Sequence, residues 1–192
     1  QSLFTLVIYA QDDDYFQRIS ATIIRKFPCR IILITPSPEG LQTSVTALRP
    51  KGGKSKVFCE CIRFAVAPSH QKRIPYLVLP HLLPDLPVYL LWGDDPTKHN
   101  PLSLQLENYA TRTIFDSEFT SDFSLFAKEL LHQHITTHAD IGDLNWARLA
   151  DWRALFSHTF NASDKLPCLK NTKSVQITHN TGSQIQALYF QG

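Results

Sequence analysis

The sequence lacks methionine altogether, and it contains only seven glycines in 192 residues. Because translation starts with methionine, a chain that begins at Gln1 without one is predicted to be part of a longer product. No apolar run approaches the roughly 20 residues that span a bilayer, and no charged-then-apolar signal segment opens the chain. We therefore predict a cytoplasmic protein that does not contact a membrane.

Charge of one sign is not concentrated anywhere along the chain. The 19 lysines and arginines are interspersed with 17 aspartates and glutamates, for a formal net charge of +2. Nucleic-acid-binding proteins usually gather basic residues on one face, so the pattern predicts no nucleic-acid partner. With 43% hydrophobic residues, the chain is predicted to be globular and to bury a sizeable core.

Cysteine is scarce, and its spacing suggests no metal site. The chain has four cysteines, with no CxxC pair and no Cys/His grouping that would complete a zinc site. Cys59 and Cys61 share one face of a predicted strand, which is a poor geometry for a disulfide. We predict that Cys29, Cys59, Cys61 and Cys168 are all reduced, as is usual in the cytosol.

The hydrophobic pattern predicts an α/β fold. Two apolar runs, Leu3–Ala10 and Cys29–Thr35, flank an amphipathic helix that Pro28 ends, which predicts a βαβ unit with parallel strands. Further strands are predicted at 41–48, 57–66, 87–92 and 111–115, and helices at 68–83 (kinked by prolines), 101–108, after 119 and over 143–160. The predicted fold is a mostly parallel sheet flanked by helices.

The same pattern predicts the domain organisation. Residues 1–160 form the predicted α/β domain and residues 161–173 a polar linker, and residues 174–192 begin a further element that the chain does not finish. Residues 188–192 match the end of a protease-recognition tag, and they are equally compatible with native helix.

Glycine is missing where a nucleotide-binding protein needs it. Asp12–Asp14 follow the first strand, and three carboxylates at this helix start would repel a pyrophosphate. Gly53–Ser55 match the end of a phosphate-binding loop, but Leu48 stands where its first glycine belongs and a strand is predicted to follow. No nucleophile motif is present either. We therefore predict no catalytic residue and no cofactor.

A histidine cluster closes the helix predicted after residue 119. His134 and His138 share a helix face and could hold a metal ion, with His132 nearby. No carboxylate or cysteine follows to complete such a site, and histidines at a helix C-terminus interact favourably with the helix dipole. We predict no metal site.

Three aspartates follow the ends of predicted strands: Asp94, Asp95 and Asp116. In open α/β sheets the functional crevice lies outside the carboxyl ends of the strands. Carboxylates there could bind a cation, perform acid–base chemistry or contact a partner, but aspartate is also common in turns and helix caps. Both interpretations remain open.

Trp146, Arg148, Trp152 and Arg153 are concentrated on one predicted helix, with Asp143 as its N-cap. Tryptophan and arginine are enriched at the energetic centres of protein interfaces. Helical spacing places Trp152 on a predicted core stripe, while Trp146 and Arg153 lie together at its edge. We predict that Trp152 is buried and that Trp146 and Arg153 are available to a partner.

In the order and spacing of its motifs, the sequence resembles the glucose-6-phosphate dehydrogenase assembly protein family, OpcA. The motifs that carry the resemblance are 27–30, 82–88, 91–96, 111–117, 142–149 and 151–153.

The resemblance implies a non-catalytic protein that assembles or allosterically activates the dehydrogenase that opens the oxidative pentose-phosphate pathway. It implies the dehydrogenase as partner, and a second, C-terminal domain of which residues 174–192 are the start. Self-association of the chain is a further expectation. The candidate partner-binding residues are Trp146, Arg148, Arg153, Asp94, Asp95, Arg112 and Asp116. The alternative is a sugar-phosphate-binding or enzymatic domain that uses the crevice of Asp94, Asp95 and Asp116.

Overall fold

The structure is a computed structural model, and it describes residues 2–49, 59–137, 140–161 and 165–191. The chain divides into two compact units, residues 1–141 and 142–192. Within the described residues no helix combines the length and the apolar character needed to cross a membrane.

The strands of the described residues form one sheet, in the order β3-β4-β2-β1-β5-β6-β7. β1 pairs in parallel with β2 and β5, β2 with β4, and β5 with β6, whereas β3 and β4 are antiparallel. The predicted α/β class with a mostly parallel sheet is confirmed. The strands are β1 (Thr5–Ala10), β2 (Arg30–Pro36), β3 (Leu41–Leu48), β4 (Cys59–Val66), β5 (Val88–Gly93), β6 (Arg112–Phe115) and β7 (Asp140–Asp143).

Helices connect the strands in the first unit and make up most of the second. Those of the first unit are α1 (Asp13–Lys26), α2 (Ile74–Val78), α3 (Pro101–Glu107) and α4 (Phe123–Thr137). The second unit contains α5 (Leu144–Arg148), α6 (Ala150–Phe160), α7 (Leu166–Lys170) and α8 (Gln184–Gln191). The predicted kinked helix at 68–83 is α2 flanked by two 3₁₀ segments, with a proline in the first turn of each piece.

The βαβ unit forms because its sequence signals agree with one another. All six residues of β1 are buried, as expected for a central parallel strand covered on both faces. The Asp12 carboxylate caps α1 by accepting from the backbone N–H of Tyr15 at 2.7 Å. Arg25 and Lys26 occupy the last turn, where the helix dipole favours cations.

The main core lies against the sheet and holds the largest fully buried side chains of the first unit. Trp92 and Tyr9 stack there with ring centroids 4.2 Å apart. Phe126 of α4 packs edge-on against Phe115 of β6.

The structure divides the chain differently from the predicted domain boundary at residue 160. The division falls between Ile141 and Gly142, so α6 belongs to the second unit. The segment predicted as a linker, 161–173, contains α7. Short helices of this kind carry little periodic signal, because five residues make little more than one turn.

The helix predicted over 143–160 is interrupted. Leu149 has φ −88° and ψ 4°, and its N–H donates to the carbonyl of Trp146, which ends α5 before α6 begins. The predicted burial of Trp152 is wrong, because its side chain is 57% exposed. None of the residues of α6 is buried.

Candidate functional site

The strand order places a topological switch point between β1 and β5. β1 pairs with β2 on one side and with β5 on the other, and both pairings are parallel. Ligands of open α/β sheets bind outside the carboxyl ends of the strands at such a point. Ala10 and Gly93 end the two strands side by side, so the loops that follow them border the candidate crevice.

The side chain of Tyr15 occupies this crevice. Its ring is buried and lies against the end of β5, where a Cβ on Gly93 would come within 2.6 Å of Tyr15 Cε1. The Tyr15 hydroxyl donates to Asp116 Oδ2 at 3.2 Å, and Phe119 packs edge-on against the ring at 5.0 Å. Only glycine at position 93 permits this close approach.

Asp95 ties the loop after β5 to the loop after β6. Its carboxylate accepts from the backbone N–H and hydroxyl of Thr97, at 3.0 and 2.7 Å, and from those of Ser121, at 3.1 and 2.9 Å. Burial by itself raises the pKa of Asp95, but these hydrogen bonds outweigh it and lower the pKa below its ordinary value.

The other two aspartates differ in exposure. Asp116 is fully buried, and besides the Tyr15 hydroxyl it accepts from the backbone N–H of Glu118 at 3.2 Å. Asp94 is partly exposed and pairs with Lys98 at 3.1 Å. The structure therefore places the predicted carboxylates at the carboxyl ends of β5 and β6. Asp94 is the one that a ligand can reach most readily.

Arg112 is the first residue of β6. Because β5 and β6 are parallel, it lies at the amino ends of these strands, opposite the carboxyl ends that carry the aspartates. Its guanidinium binds the carboxylate of Asp140, with Nε and Oδ2 2.7 Å apart. Hydrogen bonding to Asp140 raises the pKa of Arg112.

The first helix start carries the aspartates expected to repel a pyrophosphate. Asp12 caps the helix, Asp13 forms an ion pair with Arg63, and Asp14 is exposed. The other phosphate-loop candidate, Gly53–Ser55, lies outside the described residues.

In the second unit, Trp146 and Arg153 form one cation–π pair. The guanidinium carbon of Arg153 lies 3.8 Å from the centroid of the Trp146 ring, and Arg153 also donates to the Trp146 carbonyl. Asp143 caps α5 by accepting from Trp146 N at 2.9 Å. The predicted cap and the predicted adjacency of Trp146 and Arg153 are both confirmed.

Arg148 points to a buried amide instead. Its guanidinium donates to Asn145 Oδ1 at 2.6 Å, and the amide of Gln186 donates to the same oxygen at 2.6 Å. Asn145 is fully buried. Asn145 thus joins α5 to α8 within the second unit, and Arg148 donates to the same oxygen from within α5.

The aromatic side chains of α6 line an open groove of about 580 Å³ within the second unit. Trp152 and Phe156 lie along it, and both pack edge-on against Phe190 of α8. Both remain about half exposed, at 57% and 47%. Contiguous exposed apolar faces are typical of interaction surfaces, so this groove is a candidate for one.

A second cavity, of about 650 Å³, lies between α3 and α4 of the first unit. Glu107 lines it and accepts hydrogen bonds from Ser103, at 2.7 Å, and from Gln133. Burial raises the pKa of Glu107, and the two hydrogen bonds only partly offset that rise. His132 also lines the cavity.

The predicted histidine cluster is incomplete in the described structure because His138 lies outside the described residues. Where the chain is described, no group of three His, Cys, Asp or Glu side chains is arranged to hold a metal ion.

The cysteines form a cluster that their sequence spacing did not reveal. The sulfur atoms of Cys29 and Cys59 lie 3.6 Å apart in the core. Burial raises the pKa of the Cys29 thiol, and it raises the pKa of Cys61 to about 11. Cys168, in α7, is exposed.

Sequence reasoning missed three residues that organise these sites. Tyr15 fills the crevice, Ser121 binds Asp95, and Asn145 holds Arg148. Each of the three bonds to a residue far away in the sequence or lies outside any recognised motif, so no local sequence pattern identified it.

The fold and these sites define an α/β protein with a closed switch-point crevice and an exposed aromatic face. Two family models match the chain. They describe the glucose-6-phosphate dehydrogenase subunit N-terminal domain, over residues 20–130, and the C-terminal domain of the same subunit, over residues 139–192. The chain belongs to this family, OpcA, and the family predicted from the sequence motifs is confirmed.

Curated relatives agree with the family models. The chain is 32% identical over 181 residues to the putative OxPP cycle protein OpcA of Synechococcus elongatus, covering 91% of this chain and 40% of that protein. It is 30% identical to the Synechocystis sp. protein of the same name, covering 91% and 38%. It is 29% identical to that of Nostoc punctiforme, covering 91% and 39%. The chain thus spans about two fifths of the length of these relatives.

Proposed function

We propose that this chain is part of a non-catalytic, cytoplasmic assembly factor that binds glucose-6-phosphate dehydrogenase and activates it allosterically in the oxidative pentose-phosphate pathway. The family descriptions, which name a subunit of this dehydrogenase, support the partner. The relatives' printed name, OxPP cycle protein, supports the pathway.

The observation that carries the proposal is the exposed aromatic face of the second unit. Trp152 and Phe156 present large apolar surfaces, and the Trp146–Arg153 pair adds an aromatic plane covered by a cation. Aromatic and arginine side chains dominate the binding energy of protein interfaces. Burying such a face against a partner removes apolar area from water, which is the main favourable term in association.

The filled crevice supports the non-catalytic part of the proposal. Tyr15 takes the place at the switch point where α/β enzymes hold a ligand, and Asp95 and Asp116 are engaged by backbone and side-chain donors. The alternative, a sugar-phosphate or enzymatic site, would have to rely on Asp94, whose negative charge disfavours a phosphate.

The binding test uses the dehydrogenase from the same organism and measures its affinity for variants of this chain. Trp152→Ala with Phe156→Ala should weaken the complex about tenfold or more, and Trp146→Ala with Arg153→Ala should do the same. Tyr76→Ala is the matched control, because Tyr76 is 77% exposed and belongs to the first unit. Unchanged affinity in both double variants would place the dehydrogenase on another surface.

Activity separates activation from simple binding. The chain alone, given glucose 6-phosphate and NADP, should produce no NADPH, and adding it to the dehydrogenase should raise the rate. Turnover by the chain alone that disappears in Asp94→Asn would instead support the crevice alternative. A complex that forms without any change in dehydrogenase kinetics would rule out activation and leave only assembly.

A further inference from the structure

The cavity between α3 and α4 is large enough to hold a small metabolite. Its volume is about 650 Å³, within the roughly 300–1,000 Å³ that is usual for small-molecule sites. Trp92 lines it from β5, Ser103 and Glu107 from α3, and Glu129 and Gln133 from α4. The cavity belongs to the first unit, so it is distinct from the aromatic groove of the second unit.

The charged side chains that line this cavity are acidic. Glu107 and Glu129 are among them, and none of the described residues around the cavity is a lysine or an arginine. Among the described residues, no ion pair includes either glutamate. The Glu107 carboxylate accepts instead from two neutral groups, Ser103 Oγ at 2.7 Å and the Gln133 amide. Burial raises the pKa of Glu107, and these hydrogen bonds offset the rise only in part.

This charge distribution favours a ligand that carries a positive charge. A partly buried carboxylate is stabilised most by a cation that both pairs and hydrogen-bonds with it, whereas both glutamates would repel a phosphate. His99 and His132 also line the cavity. Even so, the described part of the chain has no three His, Cys, Asp or Glu side chains arranged to hold a metal ion. An organic ammonium group is therefore the cation that the two carboxylates favour.

Trp92 gives a second, independent indication of a bound molecule. Its side chain is fully buried and stacks on Tyr9, and its indole Nε1–H has no hydrogen-bond partner within the described residues. Buried N–H groups are nearly always hydrogen-bonded, so this donor points to a bound molecule that supplies an acceptor. Phe115 and Leu130 line the same cavity and offer an apolar wall to a carbon skeleton.

We propose that this cavity binds a small hydroxylated amine. The ammonium group of the ligand pairs with Glu107 and Glu129, and a hydroxyl oxygen of the ligand accepts from the Trp92 Nε1–H. A molecule with both groups satisfies the uncompensated charge and the unpartnered donor together. The site goes beyond the proposed function, and it uses no residue of the aromatic face proposed to bind the dehydrogenase.

The indole N–H signals in the NMR spectrum of the 192-residue chain report on this site. The chain has three tryptophans, and Trp146→Phe and Trp152→Phe identify the signals of the two exposed ones. Titration at pH 7 with ethanolamine, serinol or glucosamine should shift the Trp92 signal downfield, because its N–H gains a hydrogen bond. For such small probes we expect saturation at about 1–10 mM. The signals of Trp146 and Trp152 should not move.

Charge-neutralising variants test the role of the carboxylates. Glu107→Gln keeps the shape of the side chain and removes its charge, so it should weaken binding of the amines about tenfold or more. Glu129→Gln should weaken it as well. Glu39→Gln is the matched control, because Glu39 is exposed and does not line the cavity.

Glucose and inorganic phosphate complete the test as ligands without an ammonium group. Glucose that binds as tightly as glucosamine would show recognition of hydroxyls alone, and a Trp92 shift caused by phosphate would show an anion site. Either result would overturn the proposal. So would amine binding that Glu107→Gln leaves unchanged, or a Trp92 signal that none of the three amines moves, which would assign the indole donor to a bound water. Because the dehydrogenase takes no part in these measurements, their failure would leave the proposed function standing.

Discussion

The hydroxyl of Tyr15 donates a hydrogen bond to Oδ2 of Asp116 across 101 positions of sequence. Tyr15 lies in the first turn of α1, and Asp116 follows β6, so the bond links the βαβ unit to the loop after β6. Both groups are buried, so the bond helps to satisfy polar atoms that have little access to water. At the crevice of this fold, Tyr15 and Asp116 therefore form a structural contact between α1 and the loop after β6.

Removing that hydroxyl should destabilise the first unit without unfolding it. Tyr15→Phe leaves the ring in place and takes one donor from the buried Asp116 carboxylate, which should lower the free energy of unfolding by about 1–3 kcal/mol. Denaturant unfolding measures the change. Tyr76→Phe, at an exposed tyrosine, should have no effect. An equal effect of the two variants would mean that the bond contributes nothing.

Gly93→Ala should be costly because of packing. The new Cβ would lie 2.6 Å from Tyr15 Cε1 and 2.7 Å from the Tyr9 carbonyl oxygen, and the backbone atom cannot easily move. Overpacking of this kind typically costs about 1–3 kcal/mol. Gly142→Ala is the control, because a Cβ there meets no atom within 4 Å. Thermal unfolding of the two variants should separate them clearly.

Asp95→Asn should destabilise the protein at neutral pH and progressively less in acid. The folded state lowers the pKa of Asp95, so its stabilising contribution is present above the unfolded-state pKa and is lost as the pH falls through the folded-state value. At pH 7 we expect a loss of about 1–3 kcal/mol, as for charged hydrogen bonds. Unfolding curves from pH 7 to pH 3 measure the convergence. A difference that is independent of pH would show that the carboxylate charge is irrelevant.

Glu107→Gln should change the stability in the opposite direction, by making the protein more stable at neutral pH. Burial raises the pKa of Glu107 in the folded state, so the protein loses stability as the pH rises through the range between the unfolded and folded values. The neutral glutamine avoids this loss, so the variant should be more stable than wild type at pH 7, by about 0.5–1 kcal/mol. At pH 3.5 the two proteins should unfold alike. A variant less stable at pH 7 would mean that the Ser103 and Gln133 hydrogen bonds outweigh the burial of the charge.

The thiols should differ sharply in reactivity. Thiolate is the reactive form, and burial keeps Cys29 and Cys61 protonated at pH 8, whereas Cys168 is exposed. Brief iodoacetamide treatment of the native protein should therefore label Cys168 alone, and the denatured, unreduced protein should take up four labels. Mass spectrometry of the peptides reads the result. Two missing labels after denaturation would reveal a disulfide, for which Cys29 and Cys59, with sulfur atoms 3.6 Å apart, are the candidate pair.

Much of the first unit follows from local sequence. β1, α1 and β2 were predictable because an apolar run, a capped amphipathic helix and a second apolar run each have their own period and end signals. The caps formed by Asp12 and Asp143 were predictable for the same reason, since a cap acts within three residues. The candidate aspartates were correctly expected at strand ends.

Which side chains are buried could not be predicted from the sequence as well as the helices and strands. The helical spacing of Leu149, Trp152 and Phe156 describes an apolar face, but it does not say what covers that face. In the structure Leu149 is buried, while Trp152 and Phe156 stay about half exposed beside Phe190. The helix break at Leu149 also had no sequence signal, since no glycine or proline stands there.

The sequence by itself determined the α/β class, the parallel βαβ unit and the family, because these rest on local periodicity and contiguous motifs. Only the tertiary structure decided that Tyr15 fills the crevice, that the Cys29 and Cys59 sulfurs lie 3.6 Å apart, and that Trp152 faces solvent. Such outcomes depend on which distant segments the sheet order brings together. Local sequence patterns cannot encode them, because each partner comes from a different part of the chain.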